Sequence, residues 1–467
     1  MPHYQLLITL YFIFFAFVTW YRFHLGLVLL FLLLPTYLIR FHIGPLPTTL
    51  LEMMMWILFT IFIIRNFENW KSLVSNFKFQ VSKNSTLFGG IFFFLLAATI
   101  SVLTAVDIRA ALGEWKAFYI EPFLLFLILI PTISNQQLAI NNKPIANCQL
   151  LIVGALIFSG LITSLLAIYQ HYTGWMVPAA FWENGNSYRV TAWYGFPNAV
   201  GLFLAPLIPL SMYLLKRNFD IKKRNGKWEM GNGLAALSLF SFLISAPMAI
   251  VFAKSTGALV GLAAGIGLLF VIWKKTRWWT TLLFILGLSS ILGLSSLSSI
   301  KQELLFQDRS GQIRRAIWSE TFQLLRDHPI RGAGLASYQE RVRPYHATLE
   351  SEGIEIFHHP HNIFLTMYVN LGLLGLIGFL GIIVWFYKVG FQNLKPKTYS
   401  LKPVPAPHFS ISSFPHFLLS SMTIIVVHGL VDSPYIKNDL AILFWFLIAF
   451  MLLSNQSYNT QLYANRT

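Results

Sequence analysis

Only one of the 467 residues is a cysteine, Cys148, and only 11% are Asp, Glu, Lys or Arg. A lone cysteine excludes an intrachain disulfide and argues against a thiolate metal site. A soluble domain carries about a quarter charged residues, so the charge deficit excludes that class. Acids are scarcer than bases, 18 against 34. In a soluble chain the net +16 would suggest nucleic acid, but here most Lys and Arg fall in short loops between apolar runs. That is the orientation signal of an inner membrane, and no nucleic-acid partner is expected. No Gly-rich phosphate loop with Lys and Ser or Thr is present, which speaks against nucleotide hydrolysis. No acids cluster at a spacing suited to a divalent cation, apart from scattered glutamates in one long loop. Glu52 and Glu121 lie near the ends of their apolar stretches. Mid-span carboxylates, which mark many ion-coupled carriers, are therefore not expected.

What is present is apolar sequence, 56% of the chain. Runs long enough to cross about 30 Å of hydrocarbon lie near 5–20, 24–40, 47–64, 87–105, 117–133, 149–169, 194–215, 232–252, 256–273, 278–298, 362–387, 414–431 and 439–454. The first residues, Met1-Pro2-His3-Tyr4, lack a basic n-region, so the first run is expected to stay as a span. The fold class is all-α: a polytopic integral membrane protein of about twelve or thirteen helices. Basic loops at Arg65 to Lys83, Lys216 to Lys227, Lys274 to Arg277 and Lys388 to Lys402 mark the cytoplasmic side. Alternation then puts 170–193 and 299–361 outside.

Three regions follow: N-terminal helices over 1–298, a structured extracytoplasmic loop over 299–361, and C-terminal helices with a tail over 362–467. The loop is nearly charge-balanced and reads as folded. Ile317, Trp318, Phe322, Leu324 and Leu325 recur at helical period, Asp327-His328-Pro329 stops that helix, and Gly332-Ala333-Gly334 makes a tight turn. No internal repeat is visible, and Lys395 to Pro415 is a Pro-rich linker.

Cationic and imidazole side chains dominate the outer side. His358-His359-Pro360-His361-Asn362 closes the loop and opens a helix, for which Pro360 fits the first position. Histidine exchanges a proton near neutral pH without a shifted pKa. Gly372, Gly375 and Gly378 follow at helical spacing and leave a bare face for close packing. Arg189, Lys254, Arg314 and Arg315 stand on the same side. Guanidinium groups there can grip phosphate through paired donors, or merely reach lipid headgroups. His171, Tyr172, Trp175 and Trp182 form an interfacial belt or a platform for sugar rings.

At these residues the chain resembles the O-antigen ligase and O-antigen polymerase superfamily of bacterial membrane glycosyltransferases. The ligase signature, His, then Asn, Ser or Gln, nine residues, Gly, two residues and Gly, is matched by His361, Asn362, Gly372 and Gly375. Arg314-Arg315-Ala316-Ile317-Trp318 with Asp327-His328-Pro329-Ile330-Arg331-Gly332-Ala333-Gly334 is similar to the family's Arg, Trp, His-Pro, Gly-x-Gly run. Arg189 to Asn198 and His428-Gly429-Leu430-Val431-Asp432 fit two further elements. The resemblance spans roughly 85–455. Two positions depart from it: Ala253-Lys254-Ser255 where the family often has Ser-Arg-Gly, and Asn370 where it often has Glu.

The resemblance implies a multi-pass enzyme of the bacterial inner membrane, with its active site on the periplasmic face. It would move a glycan from a polyprenyl (undecaprenyl) pyrophosphate carrier to an acceptor hydroxyl, with inversion and without metal or other cofactor. The acceptor would be lipid A core, a growing glycan or another surface polymer, making the enzyme a ligase or a polymerase. His361 would be the catalytic base, assigned by the signature, with His359 second. Arg189, Arg314, Arg315 and Lys254 would hold the pyrophosphate, with Asn198, Asn362 and Trp318 completing the substrate site. A carrier that moves lipid-linked sugar without bond chemistry is the rival class.

Overall fold

A computed structural model describes residues 2–44, 46–136, 148–182, 188–225, 230–273, 275–293, 298–394 and 413–464. These fold almost entirely as helices: α1 (Pro2–Tyr21), α2 (Phe23–Leu32), α3 (Leu50–Asn66), α4 (Trp70–Lys83), α5 (Ser85–Leu103), α6 (Ile108–Glu114) and α7 (Glu121–Gln136). There follow α8 (Cys148–Thr173), α9 (Ala179–Trp182), α10 (Pro197–Leu204), α11 (Leu207–Asn225), α12 (Met230–Phe252), α13 (Thr256–Ile272) and α14 (Arg277–Gly293). The last set is α15 (Ser298–Leu304), α16 (Arg309–Asp327), α17 (Tyr338–Val342), α18 (Ala347–Glu350), α19 (Ile363–Gln392), α20 (Phe414–His428) and α21 (Asn438–Ala464). Among the described residues the one sheet is a hairpin of β1 (Arg40–Ile43) and β2 (Leu46–Thr49). The Pro-rich linker lies mostly outside the described residues.

The protein is an all-α polytopic membrane protein. Among the described residues, seven helical spans are long and apolar enough to cross a membrane, and α3 with α4, bent by 111°, make an eighth if taken together. Shorter apolar helices at Gln5–Tyr21, Phe23–Leu32, Thr256–Ile272 and Phe414–His428 account for four more of the apolar runs. Apolar sequence and helix length diverge most at 24–40. There α2 ends after ten residues and Pro35 starts a 3-10 turn over Leu34–Leu38.

One expectation about acids is overturned. The run read as 117–133 is the inner part of a continuous helix, Ile108–Ser134, in which a π-helical stretch over Trp115–Ile120 joins α6 to α7. Glu121 therefore lies well inside a span, 1% exposed, and accepts from Trp56 Nε1 at 2.8 Å. Glu52 does sit in the first turn of α3, where Lys116 Nζ reaches it at 2.8 Å. The charged Glu114 and Lys116 hid this helix's true start from a hydropathy reading.

The bundle is built on α19 against α5 and α13 against α20. A Cβ on Gly378 would meet Phe94 N and the Gly90 carbonyl, so the two helices approach backbone to backbone. Gly372 does something different. It has φ 69° and ψ −173° within α19, a conformation only glycine takes without strain. The helical bonding lost at this kink is replaced by the tight turn foreseen at Gly332-Ala333-Gly334. Leu373 N donates to the Ile330 carbonyl at 2.9 Å, and Ala333 N donates to the Val369 carbonyl at 2.6 Å.

Residues 298–361 carry α15 to α18 and a small core of Leu324, Leu325, Ala333, Tyr338 and Val342 against Val369 of α19. The segment is anchored to the end of α5 and to α6. Val106 N donates to Ser337 Oγ at 2.9 Å, Arg341 Nη2 to the Thr104 carbonyl at 3.0 Å, and Ala336 N to Glu114 Oε2 at 3.2 Å. A buried pair, His346 Nδ1 and Glu320 Oε2 at 2.9 Å, ties the chain before the histidine cluster to α16.

Candidate functional site

A cavity of about 830 Å³ opens where 189–198, the α12–α13 turn, α15, α16, the start of α19 and the end of α20 converge. The turn between α12 and α13 positions Arg189. Its Nε donates to the Ala253 carbonyl at 2.8 Å, and its Nη2 to the Lys254 carbonyl at 3.2 Å and to Asn198 Oδ1 at 2.7 Å. Lys254 takes φ 48°, which turns the chain sharply enough to present those carbonyls. Its own ammonium lies over the Tyr188 ring, 5.8 Å from the centroid. From α16, Arg314 donates Nε to the Val431 carbonyl at 3.1 Å and Nη1 to Ser310 Oγ at 2.7 Å. Both guanidinium groups are thus held by neutral acceptors, and both line the cavity.

Their electrostatics follow. Burial destabilises the Arg189 cation, as does nearby Arg314, while Asp432 and Glu303 partly compensate, so its pKa is lowered. Two half-buried cations lining one space favour an anionic ligand between them.

The histidines are placed by the start of α19. Asn362 is its N-cap, Oδ1 accepting from Phe364 N and Leu365 N, each at 3.0 Å. Pro360 is therefore two residues outside the helix, not at its first position, because the asparagine supplies the acceptor that frees helix N–H groups need. Asn362 Nδ2 also donates to the Leu430 carbonyl at 3.0 Å, and Ile363 N to the Gly429 carbonyl at 2.7 Å, stitching α19 to the 429–433 turn. Trp318 Nε1 donates to the Pro360 carbonyl at 2.9 Å and pins the approach. Between these anchors His361 adopts φ 48°, a left-handed conformation that bulky residues seldom take outside functional or turn positions.

His361 lines the cavity, with Nδ1 3.5 Å from Asp432 Oδ1. That is long for a full hydrogen bond, as such bonds commonly are before substrate binds. Asp432 is 4% exposed; its Oδ2 accepts from Asn198 Nδ2 at 3.0 Å and its Oδ1 from Ser433 N at 2.8 Å. Burial opposes its charge, but His361, His428 and His359 outweigh it, and the carboxyl is held well below its usual range. His359 is not among the residues that line the cavity, and it accepts from the His361 N–H through Nδ1 at 3.3 Å. Burial, reinforced by His361, lowers its pKa to about 3.

His359, His361 and Asp432 each offer a ligand atom, all within 4.8 Å of one another. His361 Nδ1 and Asp432 Oδ1 are 3.5 Å apart. Ligand atoms around one zinc-sized ion lie about 3.4 Å apart, given bonds of about 2.1 Å. The charges nearby oppose a bound cation: Asp432 already stabilises the Arg189 cation, and Lys437 acts on His359 as a like charge.

The cavity thus brings together Arg189, Asn198, Lys254, Arg314, Trp318, His361 and Asn362. Arg315 is not among them: next to Arg314 on α16, it points to the exposed side, because successive helical residues cannot share a face. Asn198 is engaged on both ends by protein groups, so its first role is a bridge. Asp432 and Lys437 were not singled out as site residues. Both sit in one short polar stretch between the last two apolar runs, and that isolation was the available signal. Lys437 lies half-buried over the rings of Tyr194 and Phe196, at 5.7 and 5.5 Å, with its pKa lowered chiefly by desolvation.

Fold and site define a polytopic membrane protein whose helix ends enclose a cationic cavity bearing one histidine–aspartate pair. Residues 240–380 match a family model described as O-antigen ligase, which supports the resemblance to the O-antigen ligase superfamily. The match supports a membrane enzyme of O-antigen assembly, a glycosyltransferase of ligase or polymerase type. It contains Lys254, Arg314, Trp318, His361 and the kink at Gly372, whereas Arg189, Asn198, His428 and Asp432 lie outside it. No curated protein matches the chain.

Proposed function

We propose that the protein transfers a glycan from a polyprenyl pyrophosphate carrier to an acceptor hydroxyl, with inversion at the anomeric carbon and without a metal. The observation that carries this reading is one cavity lined by two buried-edge arginines and by His361 backed with Asp432. Arg189 and Arg314 hold the pyrophosphate and stabilise its charge as the anomeric C–O bond breaks. His361 takes the proton from the acceptor oxygen as the new glycosidic bond forms, and Asp432 supports the resulting imidazolium. His359 is a poor base at a pKa near 3 and does not line the cavity. Lys254, Trp318 and Asn362 shape the walls around the donor. Transfer to lipid A core, to a growing glycan or to another surface polymer uses the same donor chemistry.

The test is chemical. Purified protein in liposomes, given undecaprenyl-pyrophosphate-linked glycan and an acceptor, should release undecaprenyl pyrophosphate in step with glycan transfer. Movement of intact lipid-linked glycan across the bilayer without release would identify a carrier instead.

A further inference from the structure

The phosphate-side arginine and the carboxylate behind the base do not touch. One side chain joins them. Asn198 sits in the first turn of α10, directly after Pro197 at the helix start. Its Oδ1 accepts from Arg189 Nη2 at 2.7 Å, and its Nδ2 donates to Asp432 Oδ2 at 3.0 Å. A carboxamide can accept from a guanidinium through its oxygen and donate to a carboxylate through its nitrogen at once. The bonds fix which end is oxygen. With Oδ2 held by Asn198 and Ser433 N on Oδ1, Asp432 is left aimed at His361 Nδ1. A proton on Nδ1, facing that carboxylate, leaves Nε2 as the basic nitrogen.

We infer that Asn198 is a positioning residue that aligns the Asp432–His361 pair and ties it to the guanidinium of Arg189. It rests on the proposed reading of the site. Arg189 retains the Ala253 and Lys254 carbonyls without Asn198, so the effect of losing the amide falls on the base and little on donor binding.

The test is a double-mutant cycle on the full-length protein in liposomes. Asn198→Ala should lower kcat about 10-fold and change the affinity for undecaprenyl pyrophosphate less than about 3-fold. In an Asp432→Asn background, Asn198→Ala should cost almost nothing further, because its effect passes through the carboxylate. Asn198→Asp keeps the size and the bond from Arg189 but turns the donor into a second acceptor. It should lower kcat at least as far as alanine does. Fully multiplicative losses, or wild-type kcat in Asn198→Asp, would overturn the inference while leaving the transfer reaction intact. Absence of release by the wild type would instead remove the reading beneath it.

Discussion

At the scale of single residues, the site separates a group that moves a proton from groups that hold charge. A base contributes when the acceptor proton leaves, so His361→Ala should lower kcat about 10²- to 10⁴-fold. Donor affinity should stay near wild type, since the two arginines are untouched. Arg189→Ala should weaken donor binding, and Arg189→Lys should restore part of it, because an ammonium cannot reproduce the forked contact. Steady-state kinetics beside direct binding of undecaprenyl pyrophosphate would read both. Loss of binding in His361→Ala with an unchanged rate for bound donor would make the histidine a ligand rather than a base.

At the scale of elements, the site depends on how α19 begins and bends. A Cβ at Gly372 would run into the Ile330 carbonyl at a positive φ, so Gly372→Ala should destabilise by about 1–3 kcal/mol or more. Gly381→Ala in the same helix meets only Gly90 Cα at 3.5 Å and should cost less than about 0.5 kcal/mol. Thermal unfolding of the two variants in detergent compares them directly; equal melting temperatures would contradict the packing described.

The strut between α16 and the chain leading to His361 carries its own pH dependence. Burial opposes the charge of His346, but the Ile354 carbonyl, Glu320 and Glu350 outweigh it, and the imidazole pKa is raised. Burial also raises Glu320. A raised histidine gives stability that is fully present below its unfolded pKa of about 6.5 and is lost as pH climbs through the folded value. The raised carboxyl acts with the same sign, favouring the protonated pair. Hydrogen exchange corrected for intrinsic rates should therefore show residues 343–356 better protected at pH 6 than at pH 8. In His346→Gln that difference should vanish; its survival there would locate the effect elsewhere.

At the scale of the whole molecule, the cavity-lining elements converge at helix ends, on the side that alternation of basic loops predicts to be outside. A reporter active only in the cytoplasm should work when fused after Lys223 and stay silent when fused near Glu350. The opposite pattern would put the histidines on the wrong side for a polyprenyl-linked glycan. Turnover should also survive EDTA, because the Asp432 carboxylate already has Arg189 as its cationic partner and Lys437 acts on His359 as a like charge. Activity lost to the chelator and restored by Mg²⁺ or Mn²⁺ would replace the arginine account with a metal one.

The sequence by itself determined the membrane class, the helical architecture and the stretches from which the site is drawn. Those follow from local properties: apolar run length, the charge of short loops, and the histidine, arginine and glycine spacings. It also singled out Gly372, but as a packing face; only the structure made it a break mended by the Ile330 to Ala333 turn. Tertiary structure alone decided which basic groups share a space. Arg314 and Arg315 are neighbours in sequence and point to opposite fates, and His359 and His361 divide in the same way. Asp432, more than 60 residues beyond His361, becomes its partner because α19 starts against the 429–433 turn. Glu121 moved from a helix end to a helix interior because a π-helical stretch carried α6 into α7. Such outcomes depend on contacts between residues distant in the chain, and no local pattern encodes them.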